Sequence, residues 1–196
     1  KLFLKVLHKC YIIKKLKLNL FDDYKYEYGK TFMKHFKELY NLPIHKDLLQ
    51  QINDYNFSWK NDQVCINTVP GYEEDTQYGI GSLAYDERRE WDFTVLCNIF
   101  KNTVFEDIYK ELKKHYILGR VRLMRSESKT CLTWHTDTSP RIHYPIKTQK
   151  GCFMVIEDEV MHLKQNKWYW TNTLLKHTAL NGSREDRLHL VVTISK

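Results

Sequence analysis

The chain has 196 residues, 42% of them hydrophobic and 14% aromatic, which suits one domain (1–196) with a single core and excludes an intrinsically disordered chain. Thirteen Tyr, nine Phe and five Trp point to a β-rich body with large side chains to bury. The formal net charge of +7 permits contact with nucleic acid but does not require it, because a solvated Lys-rich surface gives the same balance.

The five cysteines, Cys10, Cys65, Cys97, Cys131 and Cys152, are odd in number, widely separated and never in a C-x-x-C pair. That spacing argues against a disulfide framework or a zinc knuckle and for a reducing, cytoplasmic setting. No apolar run approaches the roughly 20 residues of a membrane span. Residues 1–20 mix apolar residues with Lys and lack a small-residue cleavage site, so neither a secretory signal nor membrane attachment is expected.

In chain order, residues 30–40 and 46–52 carry apolar residues at helical spacing, and residues 63–69 form a short β-branched run ending at Pro70. Residues 71–81 are polar and turn-rich, which predicts a surface loop. Residues 105–116 give the clearest helix, with Phe105, Ile108, Tyr109 and Leu112 on one face. From there the chain changes character. Residues 1–116 are a mixed part, whereas 117–196 read as strand after short strand: 121–124, 131–134, 141–146, 152–156, 167–170, 173–175 and 188–194. The expected class is mainly β with flanking helices, a jelly-roll of the cupin type.

Chemistry concentrates after Trp134, in W-H-T-D-T-S-P-R-I-H-Y-P-I. On an extended strand, His135 and Asp137 would share one face. His177 is the best third partner, because two imidazoles and one carboxylate on one side of a metal leave its other positions open, the facial arrangement of non-haem iron(II) oxygenases. His143, His162 and His189 are weaker candidates, and an H-x-D pair taken alone is more often a surface or core pair. The distal segment, H-T-A-L-N-G-S-R-E-D-R-L-H-L-V, adds Arg187 at the head of an apolar strand. A buried guanidinium needs a counter-ion, and a ligand carboxylate such as that of 2-oxoglutarate would supply one. Pairing with Glu185 or Asp186 is the alternative. Trp134, Trp168 and Trp170 could wall a pocket or simply pack the core.

Three stretches, G-R-V-R-L-M-R, W-H-T-D-T-S-P-R-I-H-Y-P-I and H-T-A-L-N-G-S-R-E-D-R-L-H-L-V, resemble the aspartyl/asparaginyl β-hydroxylase family of 2-oxoglutarate oxygenases, which includes free-proline hydroxylases. The resemblance implies a double-stranded β-helix with iron(II) on His135, Asp137 and His177, and Arg187 on the distal carboxylate of 2-oxoglutarate. It also implies that Arg141 and His143 face this cosubstrate. The family's chemistry couples oxidative decarboxylation of 2-oxoglutarate by O₂ to hydroxylation of a C–H bond in an amino acid or polypeptide. The chain departs from the namesake in having the acidic ligand Asp137, and in placing Met124 where a cosubstrate-binding Ser stands. Competing readings are a zinc hydrolase on the same three ligands, a cupin-like metal-binding protein without turnover, and a nucleic-acid demethylase. The zinc reading leaves Arg187 unexplained.

Overall fold

The computed structural model describes residues 34–55, 57–83 and 86–195. The expectations for residues 1–20 and 30–33, and Cys10, lie outside them. Among the described residues, two α-helices, α1 (Leu48–Asp54) and α2 (Val104–His115), two 3-10 turns and twelve strands make up the regular structure. In chain order the strands are β1 (Phe36–Leu39), β2 (Gln63–Cys65), β3 (Asn67–Thr68), β4 (Val95–Leu96), β5 (Leu118–Ser126) and β6 (Thr130–Cys131). They continue as β7 (Arg141–Lys147), β8 (Cys152–Ile156), β9 (Glu159–Met161), β10 (Trp168–Thr171), β11 (His177–Asn181) and β12 (Arg187–Ile194). No helix among the described residues is long and apolar enough to cross a membrane.

A six-stranded sheet has the order β1-β10-β7-β12-β5-β2, and a four-stranded sheet the order β6-β11-β8-β9. The last eight strands pair as a folded ribbon, β5 with β12, β6 with β11, β7 with β10 and β8 with β9, all antiparallel. Further pairing of β12 with β7 and of β11 with β8 winds that ribbon on itself. This is a double-stranded β-helix, the jelly-roll expected from the strand pattern.

The large sheet is buried on both faces but is not apolar on both. Residues on one face, Val121, Leu123, Ile142, Tyr144, Ile146, Leu188, Leu190 and Val192, form a single core with Leu48 and Ile52 of α1 and Phe105, Ile108 and Leu112 of α2. Side chains alternate along a strand, so their neighbours Arg120, Arg122, Arg141, His143, Arg187 and His189 lie on the opposite face of the large sheet. A second, smaller apolar cluster of Phe36, Met154, Ile156, Leu163 and Tyr169 lies apart from the main core.

Helix α2 follows its 3.6-residue periodicity, with the Thr103 hydroxyl accepting from Phe105 N at 3.2 Å as N-cap, Glu106 and Asp107 in the first turn, and Lys113, Lys114 and His115 in the last. Residues 71–81 form turns, as expected, with Gly71 and Gly81 at φ +92° and +83°. Other expectations fail. Residues 36–39, expected within a helix, form β1, whose ladder on β10 outweighs a helical spacing only a few residues long. Residues 173–175, expected as a strand, form a turn, and pairing of β6 stops at Cys131 rather than running to Trp134. Strands β9 and β11 were not foreseen as strands. Cys65, Cys97 and Cys152 are free, but Cys131 is disulfide-bonded, against the expectation of reduced cysteines.

Candidate metal centre

His135 and His177 meet where β6 and β11 end their regular ladder. Their backbones form an isolated antiparallel bridge, with His135 N donating to His177 O at 3.1 Å and His177 N to His135 O at 2.9 Å. The bridge sets the two imidazoles side by side, ring centroids 4.2 Å apart. Asp137 is placed by the next turn, its N–H donating to Thr173 O at 2.8 Å. His135 and Asp137 therefore do not share the face of a regular strand, yet one potential ligand atom from each of His135, Asp137 and His177 lies within 4.8 Å of the others.

The two histidines are oriented by the same device. Nδ1 of His135 lies 2.7 Å from Thr133 O, and Nδ1 of His177 lies 2.9 Å from Leu175 O. A carbonyl oxygen can only accept, so each Nδ1 carries the proton and each Nε2 keeps its lone pair. This is the arrangement of metal-ligating histidines. Burial of His177 holds its pKa below the ordinary value, keeping the ring in the neutral form a metal requires. Asp137 Oδ2 lies 3.6 Å from His177 Nε2. A donor set of two neutral imidazoles and a carboxylate fits a divalent transition metal.

Behind Asp137 runs a chain of charges. Arg141 Nε lies 3.3 Å from Asp137 Oδ2, while its terminal nitrogens donate to Ser139 Oγ at 2.6 Å and Glu90 Oε1 at 3.0 Å. Glu90, in the 3-10 turn Glu90–Asp92, also accepts two bonds from Arg120 at 2.7 and 2.8 Å and one from Thr193 Oγ1 at 3.1 Å. Burial alone would raise the Glu90 pKa, but the two guanidinium groups outweigh it and hold the carboxyl at about 2. Arg120 donates further to Gly79 O and Gly81 O, at 2.7 and 2.9 Å.

Arg187 stands differently. It is buried, its Nε has no hydrogen-bond partner, and among the described residues no carboxylate lies within ion-pair distance of it. Its sequence neighbours are engaged elsewhere: Glu185 with Lys147 at 3.0 Å, and Asp186 with Ser128 N at 3.3 Å. Arg187 and His189 line a narrow cleft with Thr148, Cys152, Phe153, Met154 and Leu163. His143 Nδ1 lies 3.4 Å from His189 Nδ1, and both Nε2 atoms are buried without partners, as is Arg122 Nε. Desolvation, reinforced by Arg187, pushes the His143 pKa down to about 3. Between two neutral rings one Nδ1 donates and the other accepts, and the accepting ring must then carry its proton on Nε2, as a free donor.

All six residues singled out from the sequence lie in this region. His135, Asp137 and His177 come together as a cluster. Arg187 and His143 border unpaired polar atoms, and Arg141 is bonded to Asp137 and Glu90. Glu90, Arg120 and Arg122 were missed, and His189 was weighed only as a weaker metal ligand. The signal for three of them was R-V-R in β5 and R-L-H in β12, where polar residues alternate through strands buried on both faces. Of the tryptophans, Trp168 is a core residue whose Nε1 donates to Pro43 O at 2.8 Å, Trp170 packs against the same core, and Trp134 is half-buried.

The chain is similar to several known proteins. A curated relative, the L-proline cis-4-hydroxylase of Rhizobium meliloti (strain 1021), is 29% identical over 77 residues, which cover 36% of this chain and 28% of that protein. The match thus spans little more than a quarter of the relative's length. Two similar solved structures are the viral collagen prolyl hydroxylase of Paramecium bursaria Chlorella virus-1 and IDO from Bacillus thuringiensis. The first has a TM-score of 0.47 and 10% identity, covering 82% of this chain and 96% of that one. The second has a TM-score of 0.47 and 13% identity, covering 100% and 95%. Residues 84–196, more than half of the sequence, match the family described as aspartyl/asparaginyl β-hydroxylase. The chain belongs to the aspartyl/asparaginyl β-hydroxylase family.

Proposed function

We propose that the protein is an iron(II)- and 2-oxoglutarate-dependent dioxygenase that hydroxylates a C–H bond of a free amino acid or of a polypeptide side chain. The observation that carries this reading is the conjunction of two features. One is a His-Asp-His cluster with both imidazoles oriented to offer Nε2. The other is a buried arginine with no protein counter-ion. A zinc hydrolase or an inert metal-binding cupin would use the first and has no call on the second.

In this reading His135, Asp137 and His177 hold the iron, which supplies the redox chemistry coupling 2-oxoglutarate decarboxylation by O₂ to C–H hydroxylation. Arg187 binds the distal carboxylate of 2-oxoglutarate, since a planar guanidinium matches a carboxylate fork and the anion relieves a costly unpaired burial. His143 offers its unpartnered Nε2 beside it. The inner surface favours anions generally. Arg120, Arg122, Arg141 and Arg187 contribute four positive charges, and Glu90 and Asp137 two negative ones. The L-proline cis-4-hydroxylase relative supports an amino-acid substrate, and the family's description an aspartyl or asparaginyl side chain.

The test is metal content. Wild-type protein loaded anaerobically should bind one iron(II) per chain, and His135→Ala and His177→Ala should each lose it while keeping the wild-type circular dichroism spectrum. Full iron occupancy in both folded variants would refute the site.

A further inference from the structure

The three familiar ligands leave unexplained why so much buried charge is gathered behind one of them. Glu90 lies outside the motifs that carry the ligands, on a 3-10 turn before α2, yet it is 8% exposed and accepts four hydrogen bonds. Burying a carboxylate and two guanidinium groups is expensive, and such a network holds its geometry only when every member is paired. Here the pairing fixes one outcome. With one terminal nitrogen on Glu90 and the other on Ser139 Oγ, the Arg141 plane has its rotation set, and its Nε stands at ion-pair distance, 3.3 Å, from Asp137 Oδ2.

Asp137 needs such help more than the histidines do. His135 and His177 are each held by an Nδ1–H donated to a backbone carbonyl and by their shared backbone bridge. Asp137 has one backbone hydrogen bond and sits beyond the last regular pairing of β6, and its Oδ2 is within ion-pair distance of Arg141 Nε, at 3.3 Å, and of His177 Nε2, at 3.6 Å. The oxygen that meets Arg141 Nε is the one that faces His177 Nε2, 3.6 Å away, so the guanidinium offsets part of the carboxylate's charge and holds that oxygen beside the imidazole.

We propose that Glu90 is a positioning residue for the metal centre, acting through Arg141 to fix the rotamer of the acidic ligand Asp137. This gives Arg141 a contact to the metal ligand besides the cosubstrate-facing place that the sequence resemblance implies for it. It also ties the site to the 71–81 loop, because the arginine that shares Glu90, Arg120, donates to the carbonyls of Gly79 and Gly81. The inference rests on the metal-centre reading above.

The test is cobalt(II) affinity, read from the ligand-field absorption of the bound ion, in wild type, Glu90→Gln, Arg141→Lys and the double variant. Arg141→Lys keeps a positive charge beside Glu90 but removes the fork that reaches Asp137. Each single variant should bind cobalt(II) about tenfold more weakly, in the range seen when partners of metal ligands are removed. The double variant should be no weaker than Arg141→Lys alone, because both act along one path. Unchanged affinity in folded Glu90→Gln, or losses that multiply in the double variant, would overturn the proposal. Should Glu90→Gln not fold, unchanged affinity in Arg141→Lys overturns it equally. A wild-type protein that binds no cobalt(II) would instead overturn the metal-centre reading itself.

Discussion

A buried arginine without a counter-ion is a cost in the metal-free protein, and Arg187 bears it at the head of β12, where its Nε is orphaned. Burial lowers its pKa, the sign expected when a charge loses water and gains no partner. Removing such a group relieves the penalty. Arg187→Met, which keeps the length of the stem and fills the same cleft, should therefore leave the thermal midpoint of the metal-free protein unchanged or raise it. A midpoint lowered by more than a few degrees would show that Arg187 holds the fold together. At this scale the sequence was most informative. H-x-D followed by His177 and, ten positions on, Arg187 picked out three residues that the structure clusters, His135, Asp137 and His177, and a buried arginine. Glu90 could not be found that way, because its role depends on Arg120 and Arg141, 30 and 51 positions away.

Strands β5, β7 and β12 each do two jobs, presenting apolar residues to the helices and charged ones to the site. Their alternation was legible, as was the periodicity of α2. Strands β9 and β11 were not, because three-residue β9 has no sequence period to speak of and β11 is defined by its pairing with β8. The β1 error has the same origin: long-range pairing decided the conformation of a short segment. Close approach between elements gives a direct test. A Cβ on Gly119 of β5 would lie 2.8 Å from Glu90 O and 2.8 Å from Thr193 Cγ2. Gly119→Ala should cost about 1–3 kcal/mol, measured from the urea midpoint, since the backbone of the 3-10 turn must shift to admit it. No change in midpoint would mean that the contact between that turn and β5 is loose.

Across the whole molecule, the net charge of +7 has a second meaning. Lysines account for much of the surplus, but four arginines face inward, where they favour small anions rather than a nucleic-acid backbone. The same buried charge makes stability depend on pH. His143, with its pKa pushed to about 3, and buried His189, also lowered, stay neutral in the native state, while the unfolded chain protonates its histidines below about 6.5. Their contribution is complete above that pH and falls as the medium is acidified, by about 1.4 kcal/mol per pH unit for each histidine over that window. Glu90, held at about 2, adds stability that is present above the ordinary carboxylate range and lost as pH falls through 2. Thermal midpoints of the metal-free protein should thus decline from about pH 6.5 downward, and His189→Gln should make the decline between pH 6.5 and 4.5 shallower. An identical slope in that variant would rule out the histidine contribution.

The most direct test of the central claim is an anaerobic titration of the iron(II)-loaded protein with 2-oxoglutarate, following the visible charge-transfer band of the chelated metal. The account predicts that the band forms in wild type and that Arg187→Met needs at least a hundredfold more 2-oxoglutarate to form it, as expected for a lost buried charge pair. A wild-type protein that binds iron(II) yet never develops the band would contradict it.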